Sequence, residues 1–262
     1  MKRKTYQCLI IENKPIAKNI FQIVLVSDLV KFINSPGQFV NIKIGHQNSS
    51  FVLRRPISIS KYNKQNNSFA LIYKVLGNGT KELTKYKEKE YLDLLGPLGN
   101  GFNINSINKH ETALLIGAGV GIPPLLELAV QLKNKGTKVI TVLGFNSKEE
   151  IFYENEFKKI GSTYISTITD SNYFKGNIIE LLDNLIKNNN LTFDKYYACG
   201  PLIVLKKIKE IFSNKIGYLS IENRMACGIG ACYACVVKTN NQNGYSRVCK
   251  DGPVYLSSEV EM

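Results

Sequence analysis

Four of the six cysteines lie close together near the end of the 262-residue chain. They are Cys227, Cys232, Cys235 and Cys249, and their spacing is C-x4-C-x2-C-x13-C. The first two intervals match the ligand pattern of plant-type [2Fe–2S] clusters, in which four thiolates bind two irons. Glycine and alanine fill most positions between the first three cysteines, so the backbone can fold tightly and direct N–H groups at sulfur atoms. The sequence therefore predicts an iron–sulfur site in this loop.

Two other roles of four cysteines fit the sequence less well. A structural zinc site with four thiolates usually has two C-x2-C pairs, whereas this loop has one. Disulfides need an oxidising compartment, and the N-terminal segment MKRKTYQCLIIENK has too short an apolar run for a signal peptide. The two histidines, His46 and His110, are far from the loop in sequence, which disfavours histidine ligands. We therefore expect a reduced, cytoplasmic protein.

Composition restricts the class of protein further. The chain is long enough for two domains and a small appendage, and its 44% hydrophobic content supports substantial cores. No apolar run approaches the roughly 20 residues of a membrane span. The net charge is +13, but the lysines are spread along the chain without a dense basic tract. This pattern predicts a solvated surface rather than a nucleic-acid site.

The first hundred residues alternate short β-branched and aromatic runs with turns. The runs are YQCLII, IFQIVLV, FVNIKI, PISIS, FALIYKV and YLDLL. Such spacing is typical of an antiparallel barrel or sandwich. Turns are expected at Pro36-Gly37 and Gly77-Asn78-Gly79, one short helix at Lys81 to Tyr86, and the end of the barrel at Gly96 to Gly101.

Two places in this region could bind an anion. In Arg55-Pro56-Ile57-Ser58, an arginine can offer two parallel hydrogen bonds to a phosphate and the serine can donate to a ring or phosphate edge. Gly79-Thr80 would place free N–H groups and a hydroxyl at the start of the short helix. A surface arginine before an ordinary strand is the alternative explanation for the first motif.

The middle of the chain alternates strands and helices. A strand at Ala113 to Ile116 leads into a glycine turn at Gly117 to Gly121 and a helix at Pro123 to Lys133. The strands VITVLGF, TYISTI, KYYAC and GYLSI then alternate with the helices EEIFYENEFKKI, NIIELLDNLIK and PLIVLKKIKEIF. This order predicts a parallel sheet with ligands at the carboxyl ends of its strands.

The glycine turn GAGVG departs from the dinucleotide fingerprint, because proline opens the helix and no acidic residue ends the second strand. The backbone can still approach a pyrophosphate there. Cys199-Gly200-Pro201 would place a thiol at the carboxyl edge of the sheet, and Asp170 has the same topological position. A small buried residue and a turn cap are the respective alternatives.

The order of these motifs resembles the ferredoxin–NADP reductase superfamily, which has R-P-x-S and G-T in a barrel followed by GAGVGIPP and CGP in a parallel domain. RRPISI, LGPLGNGF, VLGF, ENRMACGIGACYACVVKT and VCKDGPV make the chain similar, more narrowly, to electron transfer subunits of NAD-dependent (class 1B) dihydroorotate dehydrogenase. The similarity covers nearly the whole chain. It implies an FAD-binding β-barrel over 1–101, an NAD-binding α/β domain over 102–220 and a [2Fe–2S] domain over 221–262, together an α+β multidomain fold.

The resemblance also implies which residues hold each cofactor. The expected FAD contacts are Arg55, Pro56, Ile57, Ser58, Ile72, Tyr73, Lys74, Gly79 and Thr80. The expected NAD contacts are Gly117, Gly119, Gly121, Pro123 and Gly200, with Cys199 beside the nicotinamide as a candidate catalytic residue. The expected cluster ligands are Cys227, Cys232, Cys235 and Cys249. Arginine is common in relatives at the position of Lys74, so this chain would offer a point charge there.

The implied role is electron transfer. A separate FMN-containing catalytic subunit would oxidise dihydroorotate to orotate in pyrimidine (UMP) biosynthesis, and electrons would pass through the cluster and FAD to NAD+. The expected assembly is a heterotetramer with two copies of each subunit. Because the cluster would face the partner, Ile229 and Tyr233 are expected at the docking surface, with inward packing of one of them as the alternative.

Two other functions fit the same motifs. A flavin and iron–sulfur subunit of a sulfide dehydrogenase, hydrogenase or transhydrogenase complex shares the superfamily pattern, and the identity of the partner would distinguish it. A non-enzymatic binding module could instead hold zinc in the four-cysteine loop. Such a protein would be colourless, whereas an iron–sulfur flavoprotein absorbs visible light.

Overall fold

A computed structural model of the chain describes residues 4–45, 51–169 and 172–262. His46 and Asp170, both noted in the sequence, lie outside the described residues. Within those ranges, no helix is both long enough and apolar enough to cross a membrane. Two large β-sheets form the framework, one closed and antiparallel and the other open and mainly parallel.

The N-terminal part of the chain forms a closed six-stranded barrel. Its strands are β1 (Lys4–Ala17), β2 (Ile20–Val26), β3 (Phe39–Ile42), β4 (Arg55–Asn63), β5 (Ser68–Lys74) and β6 (Tyr91–Leu98). They pair in the order β1-β2-β5-β4-β3-β6, with every pair antiparallel. Alternate apolar residues such as Val40, Ile42 and Leu71 point inward and fill the barrel. The predicted antiparallel barrel is therefore confirmed.

A short helix, α1 (Asn78–Leu83), follows β5 and begins earlier than the predicted span of Lys81 to Tyr86. Gly77 is extended at the N-cap, and the Thr80 hydroxyl accepts hydrogen bonds from the N–H groups of Leu76 and Gly77. Because these contacts satisfy the free donors of the turn, the helix starts directly after the glycine.

The second sheet has seven strands, β7 (Thr112–Ala118), β8 (Lys138–Phe145), β9 (Ser162–Thr167), β10 (Phe174–Lys175), β11 (Lys195–Cys199), β12 (Ile216–Ser220) and β15 (Val254–Leu256). Their order across the sheet is β10-β9-β8-β7-β11-β12-β15. Strands β7 to β12 are parallel, and β15 pairs antiparallel with β12 at the edge. The βαβ alternation in the sequence thus gives the parallel sheet that it predicted.

The main helices of this domain are α2 (Pro123–Lys135), α3 (Glu154–Ile160), α4 (Ile178–Lys187) and α5 (Leu202–Ile211). The predicted helix EEIFYENEFKKI is wrong in its first half, where Lys148–Glu150 form a 3-10 turn and only Glu154 onward is α-helical. Phe152 and Tyr153 turn into the core instead, and Tyr153 has a left-handed φ of 61° that ends any continuous helix.

The C-terminal segment contains the hairpin β13 (Val236–Lys238) and β14 (Tyr245–Arg247) before it returns to the large sheet as β15. One apolar core joins this segment to the other two units. It includes Phe39 and Leu98 of the barrel, Tyr196 of β11, and both Cys235 and Cys249. The predicted three-part α+β fold is therefore confirmed, with the cysteine loop packed against both larger units.

Candidate functional site

The four cysteines of the loop come together as two pairs. Cys227 and Cys232 lie on the loop after β12, where the Cys232 N–H donates to Cys227 Sγ at 3.4 Å. Cys235, just before β13, pairs with Cys249, which follows β14 and donates its N–H to Cys235 Sγ at 3.5 Å. All four thiols are free, and those of Cys235 and Cys249 are buried while that of Cys232 is exposed.

Main-chain N–H groups surround these sulfur atoms. Ile229, Ala231 and Cys232 direct their N–H groups at Cys227 Sγ at 3.4, 3.3 and 3.4 Å. The Gly230 N–H lies 3.1 Å from Cys249 Sγ. Burial by itself raises the pKa of the Cys227 thiol, but the N–H donors outweigh it and lower that pKa to about 6. The loop therefore stabilises negative charge on Cys227 Sγ, whereas burial and the neighbouring Cys235 raise the pKa of Cys249 to about 12.

The pairing of the thiols suits a two-metal cluster. Two thiol pairs, Cys227 with Cys232 and Cys235 with Cys249, can each supply the two protein ligands of one iron. The donor set therefore fits a [2Fe–2S] cluster.

Two glycines permit the tight path of the loop. Gly228 and Gly230 have φ angles of 68° and 79°, a conformation in which side chains are strained. Arg247 fixes the loop from behind, because its Nη1 donates to the Gly230 carbonyl at 3.1 Å and its Nε pairs with Asp251 Oδ2 at 3.0 Å. The same guanidinium lies 5.2 Å from the ring centroid of Tyr233.

A cavity of about 250 Å³ lies between the barrel, the edge of the parallel sheet and the start of the cysteine loop. Of the predicted FAD residues, Arg55, Pro56, Ile57, Ser58, Ile72, Tyr73, Lys74 and Thr80 all line it. The ninth, Gly79, lies beside it, since a methyl group added there would be 2.7 Å from Arg55 Nε. The structure thus brings the two predicted anion motifs together on one wall.

Within this group, the side chains of Tyr73 and Lys74 have partners of their own. The Tyr73 hydroxyl donates to Asn13 Oδ1 at 3.0 Å inside the barrel, and burial raises the pKa of Tyr73. Lys74 Nζ lies 3.0 Å from Glu150 Oε1, so its charge is paired across the boundary between the barrel and the parallel domain.

A second cavity, of about 420 Å³, lies at the carboxyl ends of the parallel strands. Gly119, Gly121 and Gly200 line it, whereas Gly117 and Pro123 lie outside its lining. A methyl group at Gly117 would contact Ile122 in the core, so this glycine allows the turn to pack. Pro123 is buried in the first turn of α2. In the glycine turn, Gly119 and Gly121 therefore form part of the cavity wall, while Gly117 allows the turn to pack against the core.

Cys199 is only 2% exposed and also lies outside the lining of the second cavity. Burial raises the pKa of its thiol, and Ser220 provides a side-chain hydrogen bond. A methyl group at Gly121 would overlap the Cys199 backbone, so the two chain segments are in close contact. The thiol is therefore a neutral, buried group that shapes the floor of the site.

The two cavities adjoin, because Lys74, Leu76, Val120 and Glu222 line both. The Glu222 side chain is exposed where the cavities meet, and desolvation by the surrounding protein raises the pKa of its carboxyl. The sequence analysis missed it, although its place directly after β12, at the carboxyl edge of the sheet, was a usable signal. Glu150 and Asn146 were missed as well. Their side chains meet at 3.0 Å in the wall of the second cavity.

Known proteins resemble this chain along its whole length. A family model described as the iron–sulfur cluster binding domain of dihydroorotate dehydrogenase B matches residues 222–261. A Fusobacterium nucleatum protein named dihydroorotate dehydrogenase B (NAD(+)), electron transfer subunit, is 50% identical over 259 residues, or 99% of each chain. A Geobacillus protein of the same name is 45% identical over 258 residues, covering 98% of each.

Solved structures share the fold. A chain from an NADH-dependent reduced ferredoxin–NADP oxidoreductase superposes with a TM-score of 0.85 at 29% identity, covering 97% of this chain and 89% of that one. A ferredoxin reductase of carbazole 1,9a-dioxygenase superposes with a TM-score of 0.65 at 15% identity, covering 82% and 67% of the two chains. The second likeness shows the fold alone.

Proposed function

The chain belongs to the family of electron transfer subunits of dihydroorotate dehydrogenase B (NAD(+)), and we propose that it carries electrons from a flavin-containing catalytic subunit to NAD+. The observation that carries this proposal is the arrangement of the two cavities. They share a wall at Val120 and Glu222, and the first also borders the cysteine loop at Met225. The [2Fe–2S] cluster, FAD and NAD can therefore bind in the order that electron transfer requires, with FAD between the other two.

The cysteine loop would hold the [2Fe–2S] cluster through Cys227, Cys232, Cys235 and Cys249. When bound, the cluster passes single electrons and FAD exchanges electron pairs with NAD, which is the redox chemistry of these cofactors. This chain binds and orients them. The N–H groups directed at Cys227 Sγ and Cys249 Sγ would offset the negative charge that thiolate ligands bring to the site.

The first cavity would hold FAD. Arg55 and Thr80 would bind its phosphates where β4 meets α1, and Ser58 would donate to the ring or a phosphate edge. Pro56, Ile57, Ile72, Tyr73, Lys74 and Gly79 would form the remaining contacts. The wall is largely apolar apart from these groups, so it would exclude water from the reactive end of the flavin.

The second cavity would hold NAD. Gly119, Gly121 and Gly200 would let the dinucleotide approach the backbone, while Gly117 and Pro123 would support the turn. Cys199 would lie below the nicotinamide as a packing surface, because its thiol is buried and neutral. Of the two titratable residues that line both cavities, Lys74 is paired with Glu150, so Glu222 is the one better placed to touch both reactive rings.

The catalytic subunit would dock at the exposed edge of the cysteine loop. Tyr233 is 48% exposed, and Val236 and Tyr245 are exposed beside it on the adjoining hairpin. Ile229 is partly buried and packs against the apolar core, so Tyr233 is the better anchor of the two predicted docking residues. We propose an FMN-containing partner, a heterotetramer with two copies of each subunit, and a cytoplasmic location, where four unpaired thiols stay reduced.

Purification of the chain alone and together with its catalytic subunit tests the proposal. The isolated chain should contain FAD, give a rhombic EPR signal when reduced, and oxidise NADH with a dye. It should not oxidise dihydroorotate until the FMN subunit is added. A colourless chain with bound zinc, or a normal iron–sulfur flavoprotein whose partner in its own cells is not a dihydroorotate dehydrogenase, would contradict the proposal.

A further inference from the structure

Asn41 on β3 has a fully buried side chain, and its amide has no hydrogen-bond partner in the part of the chain that the structure describes. Its exposed fraction is 0%, and within the described ranges neither Oδ1 nor Nδ2 makes a hydrogen bond. Its backbone is satisfied, since it pairs with Pro56 and Leu95 in the barrel and its carbonyl accepts from Arg54 Nη1 at 3.3 Å. Buried amides nearly always find a partner, because one left unpaired destabilises the fold. The amide of Asn41 therefore needs an acceptor or donor from outside the polypeptide.

The amide faces the cysteine loop. Successive residues of a strand point to opposite faces, and Val40 and Ile42 occupy the barrel interior. Phe39 and Asn41 thus share the outer face, where Phe39 packs in the same core as Cys235 and Cys249. A methyl group at Gly228 would overlap Asn41 Nδ2, so the amide is in direct contact with the backbone next to Cys227.

The same amide lies close to the FAD cavity. Phe39 lines that cavity two residues before Asn41, and Pro56, the strand partner of Asn41, lines it as well. Asn41 therefore stands in the partition between the proposed flavin site and the cluster loop. Its amide contacts the loop side of that partition, at Gly228, the residue that follows Cys227.

We propose that Asn41 donates a hydrogen bond from Nδ2 to a sulfur atom of the [2Fe–2S] cluster and thereby raises its reduction potential. The inference rests on the proposed function, because it requires the cluster to be present. Reduction adds negative charge to the sulfur atoms, so a donor stabilises the reduced state more than the oxidised one. Gly228 is needed at its position because only a residue without a side chain lets the amide approach.

The experiment compares the EPR-monitored redox titration of the full chain with that of Asn41→Leu, which removes the donor at similar volume. The expected result is an intact signal whose reduction equilibrium constant falls about tenfold, or about 59 mV for one electron. Thr141→Val is the matched control. Thr141 is equally buried on β8, its hydroxyl also lacks a partner within the described part of the chain, and its substitution should leave the potential unchanged.

An Asn41→Leu cluster with the parental potential would overturn the inference, as would an equal shift in Thr141→Val. If Asn41→Leu does not retain the cluster, the FAD binding and circular dichroism of the cluster-free variant distinguish a contact with the cluster from a structural role. Parental FAD binding and circular dichroism would support a contact with the cluster, whereas loss of either would assign Asn41 a purely structural role and overturn it. A parental chain without any reduced-cluster signal would instead refute the proposed function itself.

Discussion

Arg54 and Arg55 are neighbours in sequence with different environments, and their alanine variants should separate flavin binding from stability. Arg55 lines the first cavity and lies against Gly79 at the start of α1. Within the described ranges no carboxylate pairs with it, and its Nη1 donates only to the Leu53 carbonyl. Its guanidinium therefore has donors left for a phosphate.

Arg54 has its donors engaged. Its Nη1 lies 2.7 Å from Asp93 Oδ1 and also donates to the carbonyl groups of Asn41 and Asp93. Both side chains of the ion pair are about a quarter exposed, so solvent weakens the pair only in part. Arg54 thus ties β3, β4 and β6 together on the outside of the barrel.

The expected magnitudes follow from these contacts. A charge-assisted hydrogen bond to a phosphate contributes about 1.5 to 3 kcal/mol, so Arg55→Ala should weaken FAD binding about 10- to 150-fold. Arg54→Ala should change FAD affinity less than about threefold but lower the free energy of unfolding by about 1 kcal/mol, which is roughly 2 to 4 °C in Tm. Titration of the FAD-free chain by flavin fluorescence and a thermal scan measure the two effects.

Gly79→Ala provides a second route to the same conclusion. Its methyl group would lie 2.7 Å from Arg55 Nε and displace the guanidinium, so FAD affinity should fall in the parental chain. The same change should have little effect in an Arg55→Ala background, because the displaced group is already missing. Equal FAD loss in Arg54→Ala and Arg55→Ala, or additive effects of Gly79→Ala, would refute the assignment of Arg55 to a phosphate.

Three further predictions concern the cluster, the partner and the coenzyme. Cys232→Ser should abolish the EPR signal but leave FAD bound, since the flavin cavity is built from other residues; a normal cluster in this variant would remove Cys232 from the ligand set. Tyr233→Glu should prevent co-purification with the FMN subunit and lower dihydroorotate-to-NAD+ activity at least about tenfold while NADH–dye activity persists, because it puts a charge into the docking edge. Tyr91→Glu, on a barrel tyrosine that is at least as exposed, is its control, and parental assembly of both variants would rule out this docking edge. Glu150→Ala should raise the KM for NADH in the dye assay about two- to tenfold, because Lys74 and Asn146 would lose their partner in the wall of the second cavity. An unchanged KM would place the coenzyme away from Glu150.

Local sequence patterns predicted the parts of the molecule that depend on nearby residues. The cysteine spacing and its glycines describe a loop that closes on itself, and the barrel and βαβ patterns depend on alternation within each element. The first half of the predicted helix at Glu149 failed for a reason outside the local pattern. Phe152 and Tyr153 pack into the core, and the Tyr153 hydroxyl accepts from Ser60 at 3.3 Å and donates to Gln22 at 3.1 Å, both in the barrel. Tertiary packing thus overrode helical periodicity.

The residues that the sequence analysis missed share a different property. The surroundings that make Asn41, Glu150 and Glu222 functional candidates are formed by groups far away in the chain. Asn41 meets Gly228, Glu150 pairs with Lys74, and Glu222 lies where the two cavities join. Asn41 is a single polar residue in an apolar strand and has no periodic signature, and Glu150 lies in a short turn, so only Glu222, directly after β12, had a signal in the sequence.

The shared apolar core explains how residues so far apart in the chain keep fixed positions relative to one another. One apolar core contains Phe39 and Leu98 of the barrel, Tyr196 of the parallel sheet, and Cys235 and Cys249 of the cysteine loop. Close-packed interiors deform little, so the flavin cavity and the cysteine loop cannot move apart unless this apolar packing is disrupted. The separation between the proposed carriers is therefore set by side-chain packing and not by a hinge. The Asn41 amide on β3 can act on the [2Fe–2S] cluster only because this packing keeps the amide against Gly228.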